Sequence, residues 1–373
     1  MIPAFRRYVA ASDKGSRKAP SAKKSIDVLE VGGRGGVFQH SLALCLELQK
    51  AGHTVTLHTA TDCEIRDPLL EYCLCFDWKR NRNLRSVKVA LHFLTQTIPH
   101  IARRRNDATW VQGTFKPVLT LCAIVAFRLA RKRVIFSPHN LFSRRGSRVE
   151  AGSILAAVRM SSQVVVYNSA DADRLASCQP LPELLPLVMY APSISAGTLR
   201  RWSALFPDPS KYVCALGQMR RDKNIGLLID ACRQAGTGLV VMGPAADGQA
   251  EAQSHLREGS PTPVLWLEGY YPLEDMAAVV ALIGTVALPY AIASQSAVAE
   301  LASAYGATVI AYDIGGLSEQ ADVLVGTLRV DDWADAIRHR PASTQIPMEV
   351  GLEPRRPSNA RDLVNGFERI LSA

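Results

Sequence analysis

The sequence predicts an α/β protein in which two α/β/α domains, each built on a parallel sheet, face each other across a cleft. Three observations predict it. Short β-branched runs alternate with amphipathic helical stretches along most of the chain, an order that yields a parallel sheet with helices on both faces. The alternation stops once, at residues 179–211, where Pro180, Pro182, Pro186, Pro192, Pro207 and Pro209 cannot continue a helix or a central strand. It then restarts, and the length of 373 residues suits two domains of roughly 150–200 residues each.

In chain order, residues 26–31 read as the first strand, followed by a glycine-rich turn and a helix over 38–51 that Gly52 and His53 end. Strands at 54–59, 109–112, 134–137 and 163–167 follow, with an apolar helix near 117–130 before the third of these. Beyond the proline-rich interval come strand 212–216, helix 224–234, strands 238–242 and 264–267, helix 273–282, strand 285–288, helix 297–305 and strand 308–312. A polar, proline-rich segment at 340–357 precedes a closing helix over 358–372. The expected division is a basic disordered tail at 1–24, an N-terminal domain at 25–190, a hinge at 191–211, a C-terminal domain at 212–345, and the polar segment with its closing helix at 346–373.

Hydrophobic content of 48% and charged content of 21% are those of a globular protein. No apolar run reaches the ~18–20 residues of a membrane-spanning helix. The longest, 117–127, is closed by Arg128, Arg131, Lys132 and Arg133 and reads as a buried helix. The first 24 residues hold seven Lys/Arg and no apolar core of signal-peptide length, which predicts a cytoplasmic tail. The eight cysteines are scattered, with no Cys-x-x-Cys pair and one Cys73-Leu74-Cys75, so the chain lacks metal-ligand spacing and reads as carrying reduced, buried thiols.

Residues 1–150 hold 26 Lys/Arg against 11 Asp/Glu, a net +15, whereas the rest hold 17 against 23, a net −6. Such asymmetry turns the amino-terminal half toward something anionic. Aromatics of 7% and the lack of a recognised nucleic-acid motif argue against nucleic acid. An anionic membrane surface or a phosphate-bearing lipid acceptor fits. Leu84, Val87, Leu91, Leu94 and Ile98 make one apolar helical face, flanked by Lys79, Arg80, Arg82, Arg85 and Lys88 and closed by Arg103-Arg104-Arg105. It reads either as a helix lying on an anionic leaflet or as a core-facing helix with a solvated basic side.

Three segments carry chemistry. In Gly32-Gly33-Arg34-Gly35-Gly36, after the first strand, glycines let the backbone approach a phosphate while the next helix aims its N–H groups at the anion. A dinucleotide fingerprint starting at Gly33 fails, because glycine is needed where Phe38 stands. The second segment, Leu216-Gly217-Gln218-Met219-Arg220-Arg221-Asp222-Lys223, puts three cations at a strand's carboxyl end, where open α/β sheets bind ligands. Cations oppose a helix's positive end, so either an anionic ligand or a solvated basic turn explains them. The third runs from Pro289 through Ser294-Gln295-Ser296 to Glu300, then Gly306, a strand and Gly315-Gly316-Leu317-Ser318-Glu319. Glu300 is flanked by Val298, Ala299, Leu301 and Ala302, and an acid in apolar surroundings needs a partner or ligand. Asp171-Ala172-Asp173 imitates a metal-binding Asp-x-Asp, but it follows Asn168-Ser169 at a helix start, where acids complement the dipole.

The second and third segments, with the amino-terminal glycine loop and Gly52-His53-x-Val55, resemble the family-four retaining glycosyltransferases. That resemblance implies the GT-B fold of two Rossmann-like α/β/α domains. It implies transfer of a sugar from a nucleotide-sugar donor, with retention, to a glycan or lipid-linked acceptor in cell-surface polysaccharide or glycoconjugate synthesis. Lys223 is then expected on the donor diphosphate, Glu300 on the ribose hydroxyls, Gln295 and Ser296 on diphosphate or sugar oxygens, Tyr270 near the base, and Gly35 and Gly36 beside the donor. His139 is expected near the transferred sugar, with Asn140 on the acceptor side. No cofactor or metal is expected, and the expected location is cytoplasmic, with peripheral attachment to the inner face of the plasma membrane as an option. The chain departs from the family at Gln218, where arginine is usual, and at Ile292, where a glutamate commonly meets the sugar; Arg220 or Arg221 is a candidate for the missing charge. Two other readings stay open: a catalytically silent GT-B partner or regulatory protein, and an NAD-dependent dehydrogenase built on the glycine loop.

Overall fold

A computed structural model of the chain describes residues 23–76, 90–113, 116–141, 148–206, 208–256, 260–341, 351–355 and 359–372. Almost all of the expected basic tail, the basic stretch at 79–88 and most of the segment at 340–357 lie outside the described residues. The first domain is a seven-stranded parallel sheet of β1 (Ser25–Leu29), β2 (Thr54–Ala60), β3 (Glu71–Phe76), β4 (Ala108–Gln112), β5 (Val134–Ser137), β6 (Gln163–Val166) and β7 (Pro182–Leu184), ordered β3-β2-β1-β4-β5-β6-β7. The second is a six-stranded parallel sheet of β8 (Tyr212–Leu216), β9 (Gly238–Gly243), β10 (Val264–Glu268), β11 (Thr285–Leu288), β12 (Thr308–Tyr312) and β13 (Val323–Val325), ordered β10-β9-β8-β11-β12-β13. Strand order reverses at β1/β4 and at β8/β11, the places where an open α/β sheet leaves a crevice at its carboxyl ends.

Parallel strands are buried on both faces and so read as continuous apolar runs. β4 and β9 are buried at every residue, and each sheet carries one hydrophobic cluster on either face. The strands that the periodicity did not reveal lie at sheet edges. β3, of sequence EYCLCF, is half-buried at the sheet edge, and β13 is three residues long. The helix Arg148–Met160 and the helix Val330–Arg338 are short amphipathic covers. The proline-rich interval holds an edge strand and a helix: Pro182 takes the first position of β7, where no central ladder bond is lost, and Ser195 caps the helix Ala196–Ser203 by accepting from Thr198 N at 3.1 Å. Leu199 and Trp202 of that helix join the core of the second domain.

The helix Pro117–Leu129 is not buried all round. It buries one stripe, Thr120, Ala123, Ile124 and Phe127, and exposes Val118 and Leu129. The apolar face expected at 84–98 is split where it is described: Phe93, Ile98 and Ile101 are buried, while Leu91 is 59% and Leu94 40% exposed. Among the described residues no helix is long and apolar enough to cross a membrane.

The helix Ala360–Ser372 returns to the first domain. Its Leu363, Phe367 and Ile370 share a core with Ile26, Leu42 and Trp110, and Phe367 stacks on Trp110 at 5.3 Å with the rings 4° apart. Gly366 lets this happen, because a Cβ there would stand 2.2 Å from Leu185 Cδ2. The Arg133 guanidinium donates to the last carbonyls, including Leu371 O at 3.0 Å, which suits a helix's negative end. Phe367→Ala should therefore lower stability by about 3–5 kcal/mol, the usual range for emptying a buried phenylalanine site. Chemical denaturation with tryptophan fluorescence would read this directly; a loss under about 1 kcal/mol would show that the helix is not part of the first core.

Candidate active site between the two sheets

Leu216 ends β8, and Pro289 and Tyr290 follow β11, the two strands at the reversal of the second sheet. Lys223 reaches back to this point. Its ammonium is buried, donates to Leu216 O at 2.7 Å and lies 4.8 Å from the centre of the Tyr290 ring. Gly217 makes room for it, since a Cβ there would stand 2.8 Å from Lys223 Nζ. The other cations of this segment are committed elsewhere. Arg220 forms a fork with Asp222, both bonds 2.8 Å, which raises its pKa, and Arg221 turns to Asp247. Gln218 is exposed. Arg220 is thus neutralised by its carboxylate, whereas Arg221 is exposed and spends its Nε on a backbone carbonyl.

From Tyr290 the chain passes through an exposed Ile292 to Ser296, whose side chain caps the helix Ala297–Ala304. Gly315 and Gly316 hold this loop in place. A Cβ on either would lie 2.3 Å from a carbonyl of Ala293 or Ser294, so only glycine permits the approach, and Gly315 also has φ +53°. Gln320 accepts from Ser296 N at 2.8 Å and donates to Glu300 Oε1 at 2.7 Å. Burial raises the Glu300 pKa, and the Gln320 bond works against that rise.

On the facing domain the glycine loop is tied by carboxylates. Buried Glu30 accepts from Gly32 N and Gly33 N, both at 2.8 Å, and from Thr59 Oγ1 at 2.9 Å. Burial raises its pKa, against the loop's N–H groups. Glu64 accepts from Gly35 N at 3.1 Å and from Gln39 Nε2 at 2.9 Å, and its other oxygen accepts from Tyr270 OH of the second domain. Arg34, paired with Asp62 at 3.0 Å, lies 5.3 Å from the centre of the Tyr270 ring. Gly36 meets the opposite helix: a Cβ there would stand 2.7 Å from Ala297 Cβ. The first three glycines thus offer their N–H groups to acids, and the fourth admits the facing helix.

His139 occupies the middle of the cleft, buried, at a positive φ of 53° uncommon for a residue with a side chain. Asn140 N closes a tight turn on Pro138 O at 2.6 Å, which points the chain back from β5. His139 Nε2 lies 2.7 Å from Gln112 Oε1 and Nδ1 lies 3.1 Å from Gln295 Nε2, so the network assigns the proton to Nε2 and a received bond to Nδ1. The rings of His40 and Tyr167 flank it at 5.1 and 5.0 Å. Burial, reinforced by His40, holds His139 well below the usual imidazole range, and burial takes His40 to about 4, so both rings are neutral near pH 7. His40 Nδ1 meets Val188 O at 2.7 Å, which leaves its Nε2 as an acceptor. Among the described residues, His40 Nε2, Gln295 Oε1 and Gln112 Nε2 are buried and make no hydrogen bond of normal geometry; the last is turned toward Tyr167.

Lys223, Tyr290, Ser296, Gln295 and Glu300 thus gather on one wall, and Gly35, Gly36, His139 and Asn140 on the other. A cavity of about 570 Å³ opens at the flank, lined by Arg34, Glu64, Tyr190, Tyr270, Leu273 and Glu274 among others. His40, Gln112, Glu64 and Gln320 were not foreseen. A mid-helix histidine and three amides or acids in unremarkable contexts show their roles only once the two walls meet. Asp171 lies in the first turn after its cap Asn168 and pairs with Arg174 at 3.1 Å. Among the described residues the one grouping of three metal-type ligands is His58, Cys73 and Cys75 on β2 and β3. Of the eight free thiols, Cys45, Cys178, Cys214 and Cys232 are buried, and Cys122 is exposed.

No family model matches the sequence, and no curated protein matches it. The fold is shared with sucrose-phosphate synthase from Thermosynechococcus elongatus (TM-score 0.65, 16% identity, 94% of each chain). It is shared with HepE of Anabaena in complex with UDP and glucose (TM-score 0.64, 14% identity, 84% of this chain and 89% of that one). It is also shared with α,α-trehalose 6-phosphate synthase from Burkholderia multivorans (TM-score 0.59, 13% identity, 94% and 96%). The architecture is therefore GT-B, two Rossmann-like α/β/α domains across a cleft. The likeness extends over several kinds of GT-B protein and does not single out the family-four enzymes that the motifs resemble.

The Gly36–Ala297 contact yields a prediction about closure. Gly36→Ala forces two carbons well inside the ~3.5–4.0 Å of a normal contact, and the helices Gly35–Lys50 and Ala297–Ala304 must separate. The variant should stay folded with a larger radius of gyration in X-ray scattering. Adding Ala297→Gly should restore the compact form, and a failure of that rescue would show that Gly36 does not act through this contact.

Proposed function

We propose that the chain is a glycosyltransferase that uses a nucleotide-diphosphate sugar, with the donor lying along the second domain and the acceptor entering from the first. The observation that carries the reading is the pair of unfulfilled acceptors beside His139, His40 Nε2 and Gln295 Oε1, both buried. Buried polar atoms without partners are costly, and a group that both donates and accepts at several points satisfies them together. Sugar hydroxyls do this. The binding of UDP and glucose by HepE, of the same fold, supports the same class of donor.

In this reading Lys223 meets the diphosphate. Its anchor on Leu216 O and its seat against Tyr290 fix the ammonium beforehand, so it stabilises the charge that grows as the glycosidic bond breaks without having to reorganise. Glu300, held by Gln320, accepts the vicinal hydroxyls of the ribose, and Tyr270 flanks the base beside the cavity. Gln295 carries a hydroxyl on Oε1 while its Nε2 orients neutral His139, which serves as a polar contact for the transferred sugar rather than as a cation. Contact between the two domains excludes water as a competing acceptor. The step retains anomeric configuration and needs no metal, with cationic and dipolar groups of the protein serving the diphosphate. The dehydrogenase alternative fares poorly, because Glu30 already takes the N–H groups of Gly32 and Gly33 that a dinucleotide phosphate would need.

A thermal-shift panel of nucleotide diphosphates and their sugars tests the donor directly, since ligand bound only by the folded chain raises its melting point. Lys223→Ala should cost roughly 3–4 kcal/mol in turnover, about a hundred- to thousandfold. Glu300→Gln should act mainly on donor KM, because the ribose does not react. With its pKa raised by burial, Glu300 should lose charge-assisted donor binding on acidification sooner than an exposed glutamate would. Turnover that persists with chelator fits the reading, and restoration by manganese after chelation overturns the metal-free step. Nucleotide binding without turnover on any sugar would favour the silent-partner alternative.

We further propose that the first domain touches an anionic membrane through the stretch at 90–105, which exposes Leu91 and Leu94 at one end and Arg103 and Arg105 at the other. Binding to vesicles containing anionic lipid should weaken with salt, because exposed charges are screened over ~8–10 Å at moderate ionic strength. Leu91→Ser with Leu94→Ser should reduce the salt-resistant remainder. Equal binding to neutral vesicles at high salt would refute the electrostatic account.

A further inference from the structure

The edge of the first sheet holds a cluster that the cleft chemistry does not use. Cys73 and Cys75 stand two apart on β3, so both sulfurs project from one face, while Leu74 between them is 37% exposed on the other. The register pairs His58 of β2 with Cys73, and the helix Ile98–Arg103 brings His100 over the same face. We propose that His58, Cys73, Cys75 and His100 form a Cys2His2 zinc site that clips β3 and this helix to the sheet.

Three facts carry it. First, three edges are close to those of a tetrahedron, and His100 completes the set by turning its exposed ring inward. Zn–S bonds of about 2.3 Å and Zn–N bonds of about 2.0–2.1 Å set S···S edges of about 3.8 Å and S···N edges of about 3.5 Å. Cys73 Sγ lies 3.5 Å from Cys75 Sγ and 3.7 Å from His100 Nε2, and Cys75 Sγ lies 3.8 Å from His58 Nδ1. The ligand atoms of His58, Cys73 and Cys75 all fall within 4.8 Å of one another, and His100, 3.7 Å from Cys73 Sγ, stands just outside that group.

Second, the outer shell is in place. His58 Nε2 lies 3.0 Å from Asp27 Oδ1, so Nε2–H donates to the carboxylate and Nδ1 is turned toward the sulfurs, as in histidines that bind zinc with a carboxylate behind them. Asp27 is itself buried and held by Arg104 Nε at 3.0 Å and Asn106 Nδ2 at 2.6 Å. Third, the donor set selects the metal: two thiols with two imidazoles suit zinc, and an exposed His100 leaves a route in. On binding, each thiol releases its proton to solvent as its sulfur joins the metal, giving a neutral Zn(Cys)2(His)2 unit. Cys75 Sγ–H donates to Cys73 O at 3.1 Å, a bond that the thiolate would give up. Asp27 lies midway along β1, below the carboxyl ends of the strands, so the site is separate from the cleft and independent of the glycosyltransferase reading.

The test is an anaerobic titration of the reduced full chain with Co²⁺, then Zn²⁺. One equivalent of cobalt should give the intense visible bands of a tetrahedral site and a thiolate-to-metal charge-transfer band, and one equivalent of zinc should bleach both. Cys73→Ser should remove most of the charge-transfer intensity. His100→Ala, at an exposed position, should keep the fold and weaken zinc binding at least tenfold. Weak octahedral cobalt spectra, unchanged zinc affinity in His100→Ala, or a Cys73–Cys75 disulfide seen as a mass loss of about 2 Da before reduction would each overturn the proposal.

Discussion

A parallel sheet has to be covered on both faces, and this constraint shapes everything else in the molecule. Every strand must be followed by a crossover, so the chain always leaves a strand at the same edge of the sheet. Helices then cover the faces, and the carboxyl-terminal edge alone stays open where strand order reverses. In each domain that edge carries the residues with unusual chemistry: Glu30 and Gln112 after β1 and at the end of β4, Lys223 and Tyr290 behind β8 and β11. Two such edges set against each other make a polar layer between hydrophobic clusters.

That layer has to satisfy its own polar groups, and the residues divide by whether they do. Glu30, Glu64 and Arg220 are committed to loop amides, a tyrosine or a neighbouring acid. The glycine loop shows why a sequence motif and its chemistry can part. Its glycines admit close approach, as the motif suggests, but what approaches Gly32 and Gly33 is the buried Glu30 carboxylate, and what approaches Gly36 is Ala297. His40, His139 and Gln295 differ. His139 is held at both ring nitrogens, while His40 and Gln295 are each anchored on one side and leave one buried atom without a partner.

The fold was legible because its signal is collective. Strands such as those at 212–216 and 285–288 match to the residue, since apolar runs bounded by glycine and proline leave few alternatives. β3 was not legible, because an edge strand of alternating half-buried residues with two cysteines looks like a loop. The site was legible in part. Lys223, Glu300 and His139 stand out by charge or type, whereas Gln112 and His40 have no local feature that separates them from ordinary core or helix residues. The partners of Arg220 and Arg221, the Asp222 carboxylate and the Asp247 carbonyl, are set by the fold of a turn, which spacing does not reveal.

The same limit explains how a cysteine pair without metal-ligand spacing can still have ligands nearby. Spacing rules such as Cys-x-x-Cys describe ligands carried on one turn or knuckle. A parallel sheet supplies a second route, because register places residues from β2 and β3 side by side whatever their separation in sequence, here fifteen positions between His58 and Cys73. Two residues of period two on one strand then give a pair on one face, and a covering helix adds a ligand from above. Sequence shows the pair Cys73-Leu74-Cys75 alone. The histidines become its partners only when the sheet closes, and the buried Asp27 carboxylate, itself anchored by Arg104 and Asn106, then decides which imidazole nitrogen faces the sulfurs.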